Sequence, residues 1–217
     1  MQSRLSFQRI LLIFIFFIVI LLGIRFLYTG KFNYIFLLWN IFLAWIPYMI
    51  SGYFRKIVYH SYWKKILVLG CWLLFFPNAL YIVTDLIHLE IESSVPKWFD
   101  VILLFSCSIV SLMMAFVSLY RLETSLLKLF KYHVVEKIIA VTLFLGSFGV
   151  YLGRFMRWNS WDILRKPMPL SEEVFSQVIF PFSHLRTWGI TLILTTLFYL
   201  LYISIKTLPR ALQKAAN

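Results

Sequence analysis

The chain has 217 residues, 61% of them hydrophobic and 19% aromatic, and a formal net charge of +12; its mean hydropathy is +0.84. A soluble domain is about 45–50% apolar, and the excess here lies in long runs between short charged segments, which excludes a soluble enzyme and predicts an all-α, multipass membrane bundle. The Lys and Arg residues cluster at the ends of those runs, where they orient helices and meet anionic headgroups, so the charge does not argue for a nucleic-acid partner.

The first span covers about 10–28, with Arg25 close enough to its end to snorkel. Arg4 and Arg9 precede it as in a signal sequence, but Leu21-Leu22-Gly23-Ile24-Arg25 is a poor cleavage site, which predicts an uncleaved helix. Tyr28-Thr29-Gly30-Lys31 reads as a tight turn into a second span at about 32–53. Within it, Asn40 is placed to bond a neighbouring helix and Pro47 to kink or loosen the span.

After a basic connector, the third span, about 66–84, ends in a polar stripe. Pro77 is expected to bend it or free a carbonyl. Asn78, Tyr81, Asp85, His88 and Glu92 then follow in steps of three and four, so a continuing helix places them on one face. Polar groups at membrane depth are costly unless they face protein or a wet cavity, which makes this stripe the place to look for function. An acidic connector with Glu90 and Glu92 leads to a fourth span at about 98–120.

The fifth span, about 134–155, carries Gly146, Gly149 and Gly153 on one side, the spacing of close helix packing, and ends in Arg154 and Arg157. The long connector that follows, rich in Trp, charge and Pro, includes a short amphipathic helix for which Ser171 is the expected cap and Val174, Phe175, Val178 and Ile179 the apolar face. The sixth span covers about 187–205, and the whole chain reads as one transmembrane domain. Six spans put both termini on one side, and that side carries about 13 Lys and Arg against about 8 on the other, which predicts a cytoplasmic N- and C-terminus.

This topology brings the polar end of the third span and the end of the fifth to the same outer face. Asp85 there is expected to pair with Arg154 or Arg157. The sharper reading makes the face a ligand site. Arg154 and Arg157 are candidates to hold a phosphate bidentately, Trp158 and Trp161 to set its depth, and Asn78, Tyr81, Asp85, His88, Asn159 and Asp162 to complete the wall. Asp85 and His88, three apart, are also the candidate acid/base pair or metal ligands, with His184, Glu92 or Asp162 to complete a metal set. Cys71 and Cys107 have no metal or redox spacing, and no phosphate-binding loop or hydrolase motif is present, so no cofactor is readable.

Four segments in order carry a resemblance: Asn40-Ile-Phe-Leu-Ala-Trp-Ile-Pro47, Phe76-Pro-Asn-Ala-Leu-Tyr-Ile-Val-Thr-Asp-Leu86, Trp98-Phe-Asp100 and Gly153-Arg-Phe-Met-Arg-Trp-Asn-Ser-Trp-Asp162. With them the chain resembles an uncharacterised family of bacterial multipass membrane proteins, a domain-of-unknown-function family. The resemblance implies a bacterial inner-membrane location and brings no activity. Three classes of function stand open: binding or moving an anionic lipid or small solute, acting as an enzyme on a lipid-linked substrate, and serving as an accessory subunit to a membrane-protein partner.

Overall fold

A computed structural model describes residues 6–89 and 95–215. Its α-helices are α1 Phe7–Thr29, α2 Phe36–Ile57, α3 Tyr62–Tyr81, α4 Lys97–Leu126, α5 Tyr132–Phe155, α6 Asp162–Arg165, α7 Pro167–Ile179 and α8 Leu185–Ala215; 3₁₀ turns occupy Ile82–His88 and Pro181–His184. No strand occurs among the described residues. Six of the helical segments are long and apolar enough to cross a membrane, so the chain is a multipass membrane protein.

α4 is the axis of the bundle. In its apolar stretch 61% of the residues are buried, against 17% for α1 and for the last span. Serines 106, 108, 111, 118 and 125 of α4 are all buried, and small polar residues of this kind let neighbouring helices approach closely. Two of them tie helices together. Ser118 Oγ donates to the Pro47 carbonyl at 3.0 Å and accepts the Trp72 indole N–H at 2.6 Å, joining α2, α3 and α4 at one atom. Ser108 Oγ lies 3.2 Å from the Ile82 carbonyl, where α3 changes its winding.

Buried charges set the order of the faces. Arg25, late in α1, meets Asp100, at the start of α4, through Nε at 2.8 Å and Nη2 at 3.2 Å, and its guanidinium lies 4.1 Å from the Tyr34 ring. At the other end of α4, Glu123 accepts from Lys206 Nζ at 2.6 Å and from the Tyr202 hydroxyl. The start of α1 and the end of α8 therefore share a face, and the ends of α1, α3 and α5 share the opposite one.

The structure corrects several sequence expectations. Arg25 does not snorkel; it is 3% exposed and neutralised inside the protein. The second span starts at Phe36 rather than near 32, because the chain turns at Gly30 (φ +65°) and Phe32 stacks back on Phe26 at 4.2 Å. α4 continues to Leu126, beyond the expected end at 120, because the charges there have partners: Arg121 donates to the Tyr48 carbonyl and hydroxyl, and Glu123 is taken by α8. α8 likewise continues past 205 through Lys206. Ser171 does not cap α7, which starts earlier at Pro167; its hydroxyl bonds the Met168 carbonyl at 2.8 Å. Phe175, Val178 and Ile179 of that helix are exposed, as an interfacial helix requires.

Candidate functional site

Two local events in the sequence build the site. Pro77 lies inside α3 with no N–H to give to the preceding turn, and the neighbouring Leu74 and Phe75 carbonyls take side-chain donors. Ser160 Oγ donates to the Leu74 carbonyl at 2.9 Å, and Asn78 Nδ2 donates to the Phe75 carbonyl at 3.2 Å and to Ser160 Oγ at 2.8 Å. The loop after α5 is thereby stitched to the middle of α3. Four residues later the run Ile82-Val83-Thr84 is β-branched throughout, which disfavours the α-helix, and the chain tightens into the 3₁₀ turn with Thr84 Oγ1 on the Tyr81 carbonyl at 2.6 Å.

This change of winding turns Asp85 into the protein. Its side chain is 1% exposed and forms an ion pair with Arg154, whose own side chain is 8% exposed. Asn40 Nδ2 donates to the second carboxylate oxygen at 2.9 Å. Arg154 Nε donates to Thr84 Oγ1 at 2.9 Å, and its guanidinium lies 4.3 Å from the Tyr81 ring centre. A carboxylate and a guanidinium are thus mutually compensated at membrane depth, where either alone would be costly. The expected pairing of Asp85 with Arg154 is what the structure contains.

In front of this pair lies a cavity of about 890 Å³, within the range of small-molecule sites. One wall is a continuous stripe of α3 from Ile66 through Gly70, Cys71, Leu74 and Asn78 to Tyr81; at 1.5 Å per residue it runs for about 22 Å. Trp39, Asn40 and Leu43 of α2 and Leu145, Phe148 and Leu152 of α5 close its upper half, and Trp158, Asn159, Ser160, Ile163 and Leu170 roof it. Ile66, Leu67, Gly70 and Cys71 are exposed, so the lower half is a groove open sideways toward lipid. The lining is apolar below and turns polar at Asn40, Asn78, Tyr81, Asn159 and Ser160; no Asp, Glu, Lys or Arg is among the described residues that form it.

The structure brings the predicted site residues together selectively. Asn78, Tyr81, Trp158 and Asn159 line the cavity. Asp85 and Arg154 stand behind its wall as a closed pair. Arg154 and Arg157 do not form one fork: Arg154 is spent on Asp85 and Thr84, whereas Arg157 is exposed and carries φ +59°, a left-handed conformation uncommon outside glycine. Trp161 meets Trp39 edge-on at 6.3 Å, and Asp162 accepts the Asn159 backbone N–H at 2.8 Å. His88 closes the 3₁₀ turn, and Glu90 and Glu92 lie outside the described residues. His184 Nε2 lies 3.2 Å from Ser176 Oγ, and among the described residues no three His, Cys, Asp or Glu side chains gather to hold a metal.

Sequence reasoning gave no functional role to Ser160, Gly70 or Trp39. Ser160 was visible in Asn159-Ser160-Trp161, but only the fold reveals that its partner is the Leu74 carbonyl of α3. Gly70 has no sequence signal beyond being glycine in an apolar run; its importance is spatial, since a Cβ there would meet nothing within 4 Å.

Comparison with protein families gives a match over residues 39–201 to the family described as "Protein of unknown function (DUF1361)". The chain belongs to this family. The matched region takes in α2 through most of α8, so the buried pair, the groove and its roof all lie within the family's span. No curated protein and no solved structure matches the chain.

Proposed function

We propose that this family member binds an amphipathic lipid at the membrane face opposite its termini, in a bacterial inner membrane with both termini cytoplasmic. The hydrocarbon chain lies along the α3 groove, and the polar end of the molecule sits under the roof formed by Trp158, Asn159 and Ser160. An anionic group, a phosphate above all, remains at the mouth, where Arg157, Arg165 and Lys166 are exposed. The observation that carries this reading is the groove itself: apolar where it opens to lipid, polar where it is roofed, and about 22 Å long by the rise of its helix. The left-handed backbone at Arg157 supports it, because residues held in sparsely populated conformations cluster at functional sites.

An acid–base role for Asp85 draws less support, since the carboxylate faces Arg154 and Asn40 and does not line the cavity. The test uses Gly70→Phe, which enters the groove from a position where an added Cβ meets nothing within 4 Å, and Arg157→Gln, which removes a cation from the mouth. Native mass spectrometry of the purified chain should show fewer co-purifying lipids with Gly70→Phe and selective loss of the anionic ones with Arg157→Gln. Wild-type lipid occupancy and identity in both folded variants would overturn the proposal.

A further inference from the structure

Resting on the groove reading above, we infer that the polar end of the groove takes a hydrogen-bond donor, and that the ligand is a lipid whose hydrocarbon chain leads directly to a hydroxyl, as in a long-chain alcohol. The argument turns on which way round the two asparagine amides sit. Ser160 donates its only hydroxyl hydrogen to the Leu74 carbonyl at 2.9 Å, so toward Asn78 at 2.8 Å it is an acceptor. The atom of Asn78 that faces it must be Nδ2. The second N–H of the same amide goes to the Phe75 carbonyl at 3.2 Å, and a carbonyl can only accept. Both donors of Asn78 are therefore committed to protein, and the polar group it has left for the cavity is Oδ1, an acceptor.

Asn40 is fixed the same way. Its Nδ2 faces a carboxylate oxygen of Asp85 at 2.9 Å, so the amide cannot be turned round without setting oxygen against oxygen. Asn40 and Asn78 both line the cavity. Asn78 thus presents an amide oxygen to its polar end, and no Lys or Arg among the described residues lines it, since Arg154 is turned onto Asp85 and Thr84 behind the wall.

A phosphate placed there would meet acceptors with no compensating positive charge, the costly arrangement for a desolvated anion. An ester or ether oxygen set against Asn78 Oδ1 would place acceptor against acceptor. A hydroxyl donates to an amide oxygen and can still accept, and Tyr81 and the indoles of Trp39 and Trp158 line the same cavity. A phosphate on the same molecule belongs beyond this point, at Arg157.

The test exploits a thiol already in the groove. Cys71 is exposed and lines the cavity, whereas Cys107 is buried. In detergent solution the rate of Cys71 modification by N-ethylmaleimide is measured against increasing oleyl alcohol, and against its methyl ether. Oleyl alcohol should protect Cys71 at concentrations roughly tenfold lower than its methyl ether, the worth of one good hydrogen bond, and Gly70→Phe should abolish protection by both. Equal protection by the two lipids would overturn the donor inference and leave the groove reading standing. Protection by neither would remove the groove reading and the inference with it.

Discussion

The face of Gly149 that looks toward α3 is filled by the ring of Pro77: a Cβ on Gly149 would lie 2.5 Å from Pro77 Cγ and 2.8 Å from its Cβ. The proline inside α3 and the glycine that lets α5 approach it are thus one contact. One turn earlier Gly146 is nearly as tight, with Phe76 and Leu80 atoms 3.1 Å from where its Cβ would be. Packing, the expected role of the spaced glycines, is what they perform.

Gly149→Ala should therefore push α5 off α3 and destabilise the protein by about 1–3 kcal/mol, the usual cost of overpacking. Thermal unfolding in detergent measures this. Gly70→Ala is the control, since its Cβ would meet nothing within 4 Å, and it should leave the unfolding temperature unchanged or raise it. Equal behaviour of the two variants would contradict the contact.

Asp85→Asn removes the carboxylate that faces the buried Arg154 guanidinium. Breaking a buried pair from one side costs about 3–5 kcal/mol, whereas removing both charges costs much less. The double variant Asp85→Asn with Arg154→Gln should accordingly unfold at a higher temperature than Asp85→Asn alone. A double variant less stable than the single one would show that the pair is not the main role of either residue.

Arg25→Lys tests geometry rather than charge. Arg25 reaches both carboxylate oxygens of Asp100, through Nε at 2.8 Å and Nη2 at 3.2 Å. Lysine keeps the charge but has no planar fork. The loss should be about 1–2 kcal/mol, one charge-assisted hydrogen bond, read again by thermal unfolding. An unchanged midpoint would mean that the second bond contributes nothing.

Ser118→Ala removes the atom shared by Trp72 and Pro47. It leaves a buried indole N–H without a partner, and the expected cost is about 1–3 kcal/mol. Trp72→Phe in the same background should recover part of that loss, because it deletes the orphaned donor.

Orientation is tested with cysteines on a Cys71→Ser background. Position 162 lies on the face opposite the chain ends and position 60 on their side. In intact cells an impermeant maleimide should label Asp162→Cys and spare His60→Cys. The reverse pattern would invert the topology.

The sequence by itself determined the class and the number of spans. Twenty-residue apolar runs have one stable solution in a bilayer, because every backbone polar group must be satisfied within the helix. The stripe from Asn78 to Asp85 was legible for the same reason, since polar side chains at that depth need a partner. Tertiary structure alone decided which partner each one found. Spacing could not tell that Asp85 would consume Arg154 and leave Arg157 exposed, because the 3₁₀ turn at Ile82 rotates Asp85 away from the face on which a continuous helix would have carried it. Nor could it tell that Arg25 would find Asp100 across 75 residues, or that Ser160 would settle the orientation of Asn78 across 82. Hydropathy is a property of consecutive residues and can be read along the chain; charge compensation and the direction of a hydrogen bond belong to pairs, and pairs exist only once the helices have packed.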